Sequence, residues 1–353
     1  MRKTVLVLAS AFLLACGGAS DSVETTAAEE PAKPLEIYWI DVEGGAATLI
    51  VTPAGETVLM DAGYPGNDDR DAKRIEHVLE HEVGRKEIDY FITSHYHGDH
   101  SGGLPGLAAL VPIKQFVDHG DSIEQERGDR YLALWESYLE VTGNERTVVS
   151  PGDTLPVSGV DFLFVTARGE AITEPLGVAE DNPYCADAEQ KDVSRNGPEN
   201  GQSVGFMVRM GDFEFLNLGD FTWPEELAAV CPQNVFGKVD LYQVTHHGMF
   251  ISNAPPLINA VAPQVAIMNN GPHKGGDPLT YAALMETPRL IDLWQGHKAL
   301  HEGEPPNTDE DKIANLVDTD ECEGHWIKAT VQPDGSFTIL NSRNGFSKTY
   351  QSL

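Results

Sequence analysis

Positive charge is scarce in this chain. Of its 353 residues only 24 are Lys or Arg, against 55 Asp or Glu, for a formal net charge of −31. Most of such a surface repels a phosphate backbone or an anionic bilayer, which disfavours long nucleic acid as a partner and leaves room only for a local basic pocket. Long apolar runs are also missing. The one continuous stretch, Val5 to Ala15, falls short of the about 20 residues that a spanning helix needs. Nor does any internal repeat of about 20 to 50 residues mark a solenoid. What is present is 41% apolar residues, enough to bury a large core and to exclude disorder of the whole chain.

Arg2 and Lys3 precede the apolar run and Leu13-Leu14-Ala15-Cys16 closes it, the pattern of an export signal with a small residue before the cleavage point. It resembles a bacterial lipoprotein signal. That resemblance implies removal of residues 1–15, lipidation of Cys16, and residence in the cell envelope, on the outer membrane or the periplasmic side, with the lipid anchor as the only membrane contact. An ordinary secretory signal with a chance cysteine is the alternative. Residues 16–34, rich in Gly, Ala, Ser, Thr, Glu and Pro, read as a disordered tether. Export would place Cys185, Cys231 and Cys322 in an oxidising compartment. Cys185 with Cys231 is the candidate pair, and three free thiols remain the alternative.

Residues 35–353 contain no linker and read as one domain. Short apolar runs with strand character stop repeatedly at small polar clusters. Leu35 to Ile40 stops at Asp41, Thr57 to Met60 at Asp61-Ala62-Gly63, and Ile88 to Thr93 at Ser94-His95. Further on, Phe213 to Leu218 stops at Gly219-Asp220, Val239 to Thr245 at His246-His247-Gly248, and Val265 to Met268 at Asn269-Asn270-Gly271. In an open α/β sheet, groups just beyond the carboxyl ends of strands gather on one rim, where ligands bind. Asp69 to Glu82, Arg130 to Val141 and Pro224 to Val230 fit helices between these runs. Residues 168–201, rich in Gly, Asn, Asp and Pro, read as a long loop insertion of the kind that often serves as a functional lid.

The strongest chemical signal is His95-Tyr96-His97-Gly98-Asp99-His100. Histidines at i and i+2 on extended chain point the same way, and Asp99 and His100 follow where the chain turns. Four metal-ligating side chains thus leave one short loop, and mixed imidazole and carboxylate ligation suits Zn²⁺ first, with Mn²⁺ or Fe²⁺ as alternatives. By the same alternation, His247 is expected to face away from His246. The pairs His77/His81 and His297/His301 have helical spacing and read as solvated faces. Trp223, Trp294 and Trp326 read as core or pocket wall. Asn269 to Gly276 is a Gly-rich strand end whose His273 and Lys274 are candidate contacts for an anionic substrate.

With its HxHxDH loop the sequence resembles the metallo-β-lactamase superfamily over nearly all of residues 35–300. Asp61 in "VLMDAG", Gly219-Asp220 and His246 match further motifs. The elements "DVEGGAATLI" from Asp41, "GDFTWPE" from Gly219 and "THHG" from Thr245 look closest to the hydrolase domain of DNA-uptake competence proteins and to choline-phosphate esterases. The resemblance implies an α/β fold, an αββα sandwich of two mixed sheets flanked by helices, with two metal ions between the sheets. His95 and His97 would hold the first, Asp99, His100 and His246 the second, and Asp220 would bridge them. A water shared by the two dications becomes hydroxide near neutral pH and attacks a carbon or phosphorus centre. Asp99 and Asp61 are then the candidate catalytic carboxylates, Asp61 by orienting a ligand or water.

One expected ligand is missing. The family usually supplies a third histidine for the first site just before the strand leading to the bridging acid, where this chain reads Asn200-Gly201-Gln202-Ser203. Asn200 is a candidate substrate-binding residue there, and His119 is a possible substitute ligand. The expected function is hydrolysis of small phosphomonoesters or phosphodiesters. Lactone, carboxylic ester or β-lactam hydrolysis and a non-catalytic metal-binding lipoprotein are the rivals.

Overall fold

Alternation of side chains across extended backbone decides the architecture. In strand β1 (Leu35–Trp39), Leu35, Ile37 and Trp39 enter one buried cluster while Tyr38 enters another on the opposite face. In the computed structural model the described residues are Met1 and 33–353, except 179–180, 187, 302–304 and 320–321. Cys16, the signal after Met1 and nearly all of the tether lie outside them. Among the described residues no helix is long and apolar enough to cross a membrane.

The chain continues through β2 (Thr48–Val51), β3 (Thr57–Met60), helix α1 (Arg70–His77), β4 (Ile88–Ile92), α2 (Leu104–Leu110), β5 (Ile113–Asp118), α3 (Asp129–Thr142) and β6 (Thr147–Val148). The second half comprises β7 (Asp161–Ala167), β8 (Glu170–Ala171), β9 (Gly205–Met210), β10 (Phe213–Asn217), α4 (Trp223–Val230), β11 (Leu241–Gln243), α5 (Pro255–Val261), β12 (Val265–Met268), α6 (Pro278–Met285), β13 (Asp292–His297) and β14 (Ile313–Asn315). Strands β15 (Ile327–Val331), β16 (Ser336–Asn341) and β17 (Ser347–Gln351) close the chain.

Two mixed sheets result. One has nine strands in the order β17-β16-β15-β1-β2-β3-β4-β5-β6, the other eight in the order β14-β13-β12-β11-β10-β9-β7-β8. Their facing sides share one core containing Ile37, Ile50, Ile92, Phe164, Phe206, Phe215, Ile267 and Trp294. The outer face of the first sheet packs on α1, α2 and α3 through Ile75, Leu107 and Trp135. The outer face of the second packs on α4, α5 and α6 through Val230, Ile258 and Leu284. This is the αββα layering expected.

Parallel pairing of β3 with β4 and of β10, β11 and β12 in turn sets their carboxyl ends side by side on one rim. Strand β9 runs antiparallel to β10, so the chain entering β9, with Asn200 and Ser203, reaches the same rim.

Three features differ from the sequence expectations. His297 is buried at the end of strand β13 rather than on a solvated helix face; spacing of four carries no information once Leu293 and Trp294 must enter opposite clusters. Within residues 168–201, read as a loop, the described residues form β8 and three short 3₁₀ turns, and the candidate pair Cys185 and Cys231 is joined, as expected, in a disulfide at the end of α4. The three C-terminal strands extend the first sheet beyond β1, a contribution the motif reading did not reach.

Glu226 of α4 fixes the loop after β11. Its carboxylate oxygens accept the backbone N–H groups of Asn253 and Ala254, each at 2.8 Å, and burial pushes its carboxyl up to about 8. A raised carboxyl contributes stability that is present below its ordinary value near 4.5 and is lost as pH rises through about 8. The melting temperature of Glu226→Gln is therefore expected to fall less between those limits than that of the parent, by thermal denaturation across pH. In the core between the sheets, Phe206→Ala is expected to lower unfolding free energy by about 3–5 kcal/mol in denaturant titrations.

Candidate metal centre

Four imidazoles converge at the rim, each held by one nitrogen and presenting the other. His95 Nδ1 lies 3.0 Å from Ser94 Oγ, and that hydroxyl donates to Asp61 Oδ2 at 2.6 Å, so it accepts the Nδ1 proton and Nε2 keeps its lone pair. His100 Nδ1 lies 2.8 Å from Asp61 Oδ2. His246 Nδ1 lies 3.0 Å from Ser252 Oγ, and His247 Nδ1 lies 3.3 Å from the Asn269 carbonyl. An Nδ1 proton anchored on an oxygen, with Nε2 aimed inward, is how second-shell acceptors prepare imidazole for a metal. His97 is oriented through its other nitrogen: Nε2 lies 3.1 Å from Glu124 Oε2.

Asp220 sits at the focus. Its Oδ2 is 3.1 Å from His100 Nε2, 3.2 Å from His246 Nε2 and 3.9 Å from His95 Nε2, and its Oδ1 is 3.5 Å from His247 Nε2. Asp99 Oδ2 lies 3.2 Å from His100 Nε2 and 3.5 Å from His247 Nε2. One donor atom each of Asp99, His100, Asp220 and His247 falls within 4.8 Å of all the others.

The two adjacent histidines both reach this focus because the chain departs from extended geometry there. His246 and His247 each have φ of 55°, in the left-handed region, which removes the alternation that would have sent His247 outward. His247 thus faces the centre, contrary to the sequence expectation. It closes the side that holds Asp99 and His100. His246, expected with Asp99 and His100, also has Asn200 beside it, the amide Nδ2 lying 3.5 Å from its Nε2. Gly275 keeps the adjoining turn close: a Cβ there would meet the His247 carbonyl oxygen at 2.0 Å.

The electrostatics fit a bound cation. Burial alone would raise Asp220 and Asp99, but His100 beside Asp220, and Lys274 with His100 beside Asp99, hold both well below the ordinary carboxylate range. Burial would lower His100, yet Asp220, Asp99 and Asp61 hold it well above its ordinary value. Burial pushes His95 well down, with His100 and His97 adding to it, and burial pushes His246 down to about 3. Buried His95 Nε2 and Asn200 Oδ1 have no hydrogen-bond partner. Lone pairs of this kind aimed at clustered carboxylates are satisfied by a metal ion rather than by protein.

Other sequence candidates are placed as follows. The Lys274 ammonium contacts Asp99. Exposed His273 turns outward to Asp318, at 2.6 Å. His119 pairs with buried Glu199: its Nε2 lies 2.9 Å from one carboxylate oxygen, and the other accepts the backbone N–H of Ile123. Sequence reasoning missed Ser94, Ser252, Glu124 and Glu199, which hold the histidines and loops in place. Only Ser94, adjoining the motif, carried a local signal.

The pattern described as the Metallo-beta-lactamase superfamily matches residues 40–226, more than half of the chain, and the chain belongs to that superfamily. It is similar to the lactamase-like protein vrtG of Penicillium aethiopicum, 29% identical over 31% of this chain and 34% of that protein. A UPF0173 metal-dependent hydrolase of Cupriavidus metallidurans is 28% identical over 56% of this chain and 58% of that protein. The matched stretches thus span less than two thirds of either relative. Among solved structures, a Cronobacter sakazakii metallo-beta-lactamase superposes with TM-score 0.33 at 19% identity, over 55% of this chain and 64% of the other. CmlA, a diiron beta-hydroxylase of Streptomyces venezuelae, superposes with TM-score 0.37 at 16% identity, over 67% and 44% respectively.

His246→Ala and His247→Ala are each expected to lower the metal content of folded protein, read by elemental analysis. Asp61→Asn is expected to weaken metal affinity about 10–100-fold in chelator competition, because it unseats both Ser94 and His100.

Proposed function

We propose that this protein is a metal-dependent hydrolase that binds two divalent ions, one on either side of Asp220, and cleaves small anionic phosphoesters or phosphodiesters. The convergence of His100 and His246 on Asp220 Oδ2, at 3.1 and 3.2 Å, carries the reading. His95, His97 and His246 would hold one ion, Asp99, His100 and His247 the other, with Asp220 between them. Zn²⁺ suits these donors, and Mn²⁺ or Fe²⁺ also fit. When bound, such ions supply an activated water as nucleophile and polarise the oxygen that gains charge.

The chain's own groups do the rest. Asp61 accepts the Nδ1–H of His100 and the hydroxyl of Ser94, which fixes the two rings so that the Nε2 atoms of His95 and His100 would be the ones to meet a metal. Glu124 orients His97. Lys274 faces the centre from the Gly271–Gly276 turn and supplies a positive charge for an anionic substrate group once Asp99 engages a cation. This cation supports a small phosphoester, whereas the net charge of −31 argues against long nucleic acid. The Asn200 side-chain oxygen is available to substrate or metal.

The same reading places the mature protein in the cell envelope through a lipid on Cys16. The Cys185–Cys231 disulfide suits the oxidising compartment that this implies.

Purified full-length protein, metal-free and metal-reconstituted, is to be assayed on a chromogenic phosphodiester, a phosphomonoester, a lactone and a β-lactam. Turnover of the phosphoesters, lost on chelation and reduced at least about 10³-fold in Asp99→Ala, is the expected result. Turnover of the lactone or β-lactam alone would overturn the substrate class. No turnover on any, with one ion or none bound, would mean a non-catalytic metal-binding protein.

A further inference from the structure

A second set of buried donors meets away from Asp220. Asp41 follows β1, His297 ends β13, and Cys322 lies in the connection from β14 to β15. His297 Nε2 is 2.9 Å from Asp41 Oδ1, and Cys322 Sγ is 3.7 Å from Asp41 Oδ2. One donor atom of each residue falls within 4.8 Å of both others. Asn315 holds the segment in place: its Oδ1 accepts the backbone N–H of His325 at 2.9 Å and lies 3.6 Å from the Cys322 sulfur.

The histidine is the informative member. His297 is 1% exposed; its Nε2 meets Asp41 in the 2.9 Å ion pair but off the hydrogen-bond axis, and its Nδ1 has no hydrogen-bond partner. A buried imidazole left in this state forfeits the bonds it had with water. Among the described residues the one other imidazole nitrogen so placed is His95 Nε2, which belongs to the metal centre.

Charge points the same way. Arg70 pairs with Glu43 and Asp71, and Arg74 pairs with Glu43 and Asp41. Two guanidiniums therefore face three carboxylates, and His297, which burial would lower but Asp41 and Cys322 hold up to about 9, supplies the third positive charge; release of its proton and of the thiol proton leaves two surplus negative charges, which a divalent cation neutralises. Carboxylate, imidazole and thiolate together select a borderline-soft ion over Ca²⁺ or Mg²⁺.

We propose that Asp41, His297 and Cys322 form a separate structural site for a divalent cation of the zinc class. The Sγ–metal bond forms as the thiol proton passes to solvent, and Asn315 Oδ1 or water completes the tetrahedron. The ion fastens the β14–β15 connection to the turn after β1. That turn borders the hydrolytic centre, since Ala46 N–H donates to the Asp99 carbonyl at 3.0 Å, so the second site braces one wall of the first.

Cobalt distinguishes the two sites, because the Asp220 centre has no sulfur donor and Cys185 and Cys231 are joined. In full-length protein carrying Cys16→Ser, added Co²⁺ is expected to produce a thiolate-to-cobalt charge-transfer band in the near ultraviolet. His297→Gln in the same background is expected to lose that band while keeping the metals of the Asp220 centre. In the unaltered protein, Zn²⁺ is expected to slow alkylation of Cys322 at least about tenfold relative to chelated protein, by peptide mapping. Absence of the band, its survival in His297→Gln, or an unchanged alkylation rate overturns the proposal. None of these readouts depends on hydrolytic activity or on how many ions the Asp220 centre holds.

Discussion

Three carboxylates, Asp61, Asp99 and Asp220, converge with four inward-facing imidazoles in a pocket from which water is largely withdrawn, and this concentration of negative charge constrains everything around it. Withdrawing an ionised carboxylate from water costs several kcal/mol unless a cation or well-aimed donors compensate. Protein groups compensate only partly. Lys274 approaches Asp99, a proton is drawn onto His100, and His95 Nε2 remains without a partner. The arrangement is one that a metal completes and that an apolar or hydrogen-bonded core would not tolerate.

The fold meets this demand with backbone rather than with bulk. Parallel strands deliver Asp61, the His95–His100 loop, Asp220 and the His246-His247 pair to one rim from distant parts of the chain, and an antiparallel strand brings Asn200 back to it. The left-handed backbone at His246 and His247 then turns both imidazoles of one dipeptide toward Asp220. Glu226, which holds the backbone of Asn253 and Ala254, and Ser252, which holds His246, secure that loop from behind. The centre is therefore as much a property of the loop after β11 as of the motif at residues 95–100.

Much of this was legible in the sequence, for identifiable reasons. Strand runs ending at Asp61, Ser94, Asp220 and His246 were readable because β-branched and aromatic residues stop at polar clusters, and the two-layer core follows from their alternation. Helix α3 was readable from its apolar spacing. The role of His247 was not, because sequence alternation presumes extended backbone and nothing local announces φ of 55°. Glu124 and Glu199 were hidden because they act through contacts spanning the chain, such as the pairing of Glu199 with His119. His297 was misread because a four-residue interval between histidines is equally compatible with a strand end and a turn. The last three strands carry ordinary alternation without a motif, and only pairing with β1 gives them a place.

The proposed function requires two cations that would flank Asp220, His246 serving one and His247 the other. The most direct test is a crystal structure of metal-loaded protein with anomalous scattering recorded at the metal edge. Two peaks are predicted, one bounded by His95, His97 and His246, the other by Asp99, His100 and His247, with Asp220 touching both. A single peak, or both imidazoles of the pair on the same ion, would contradict it.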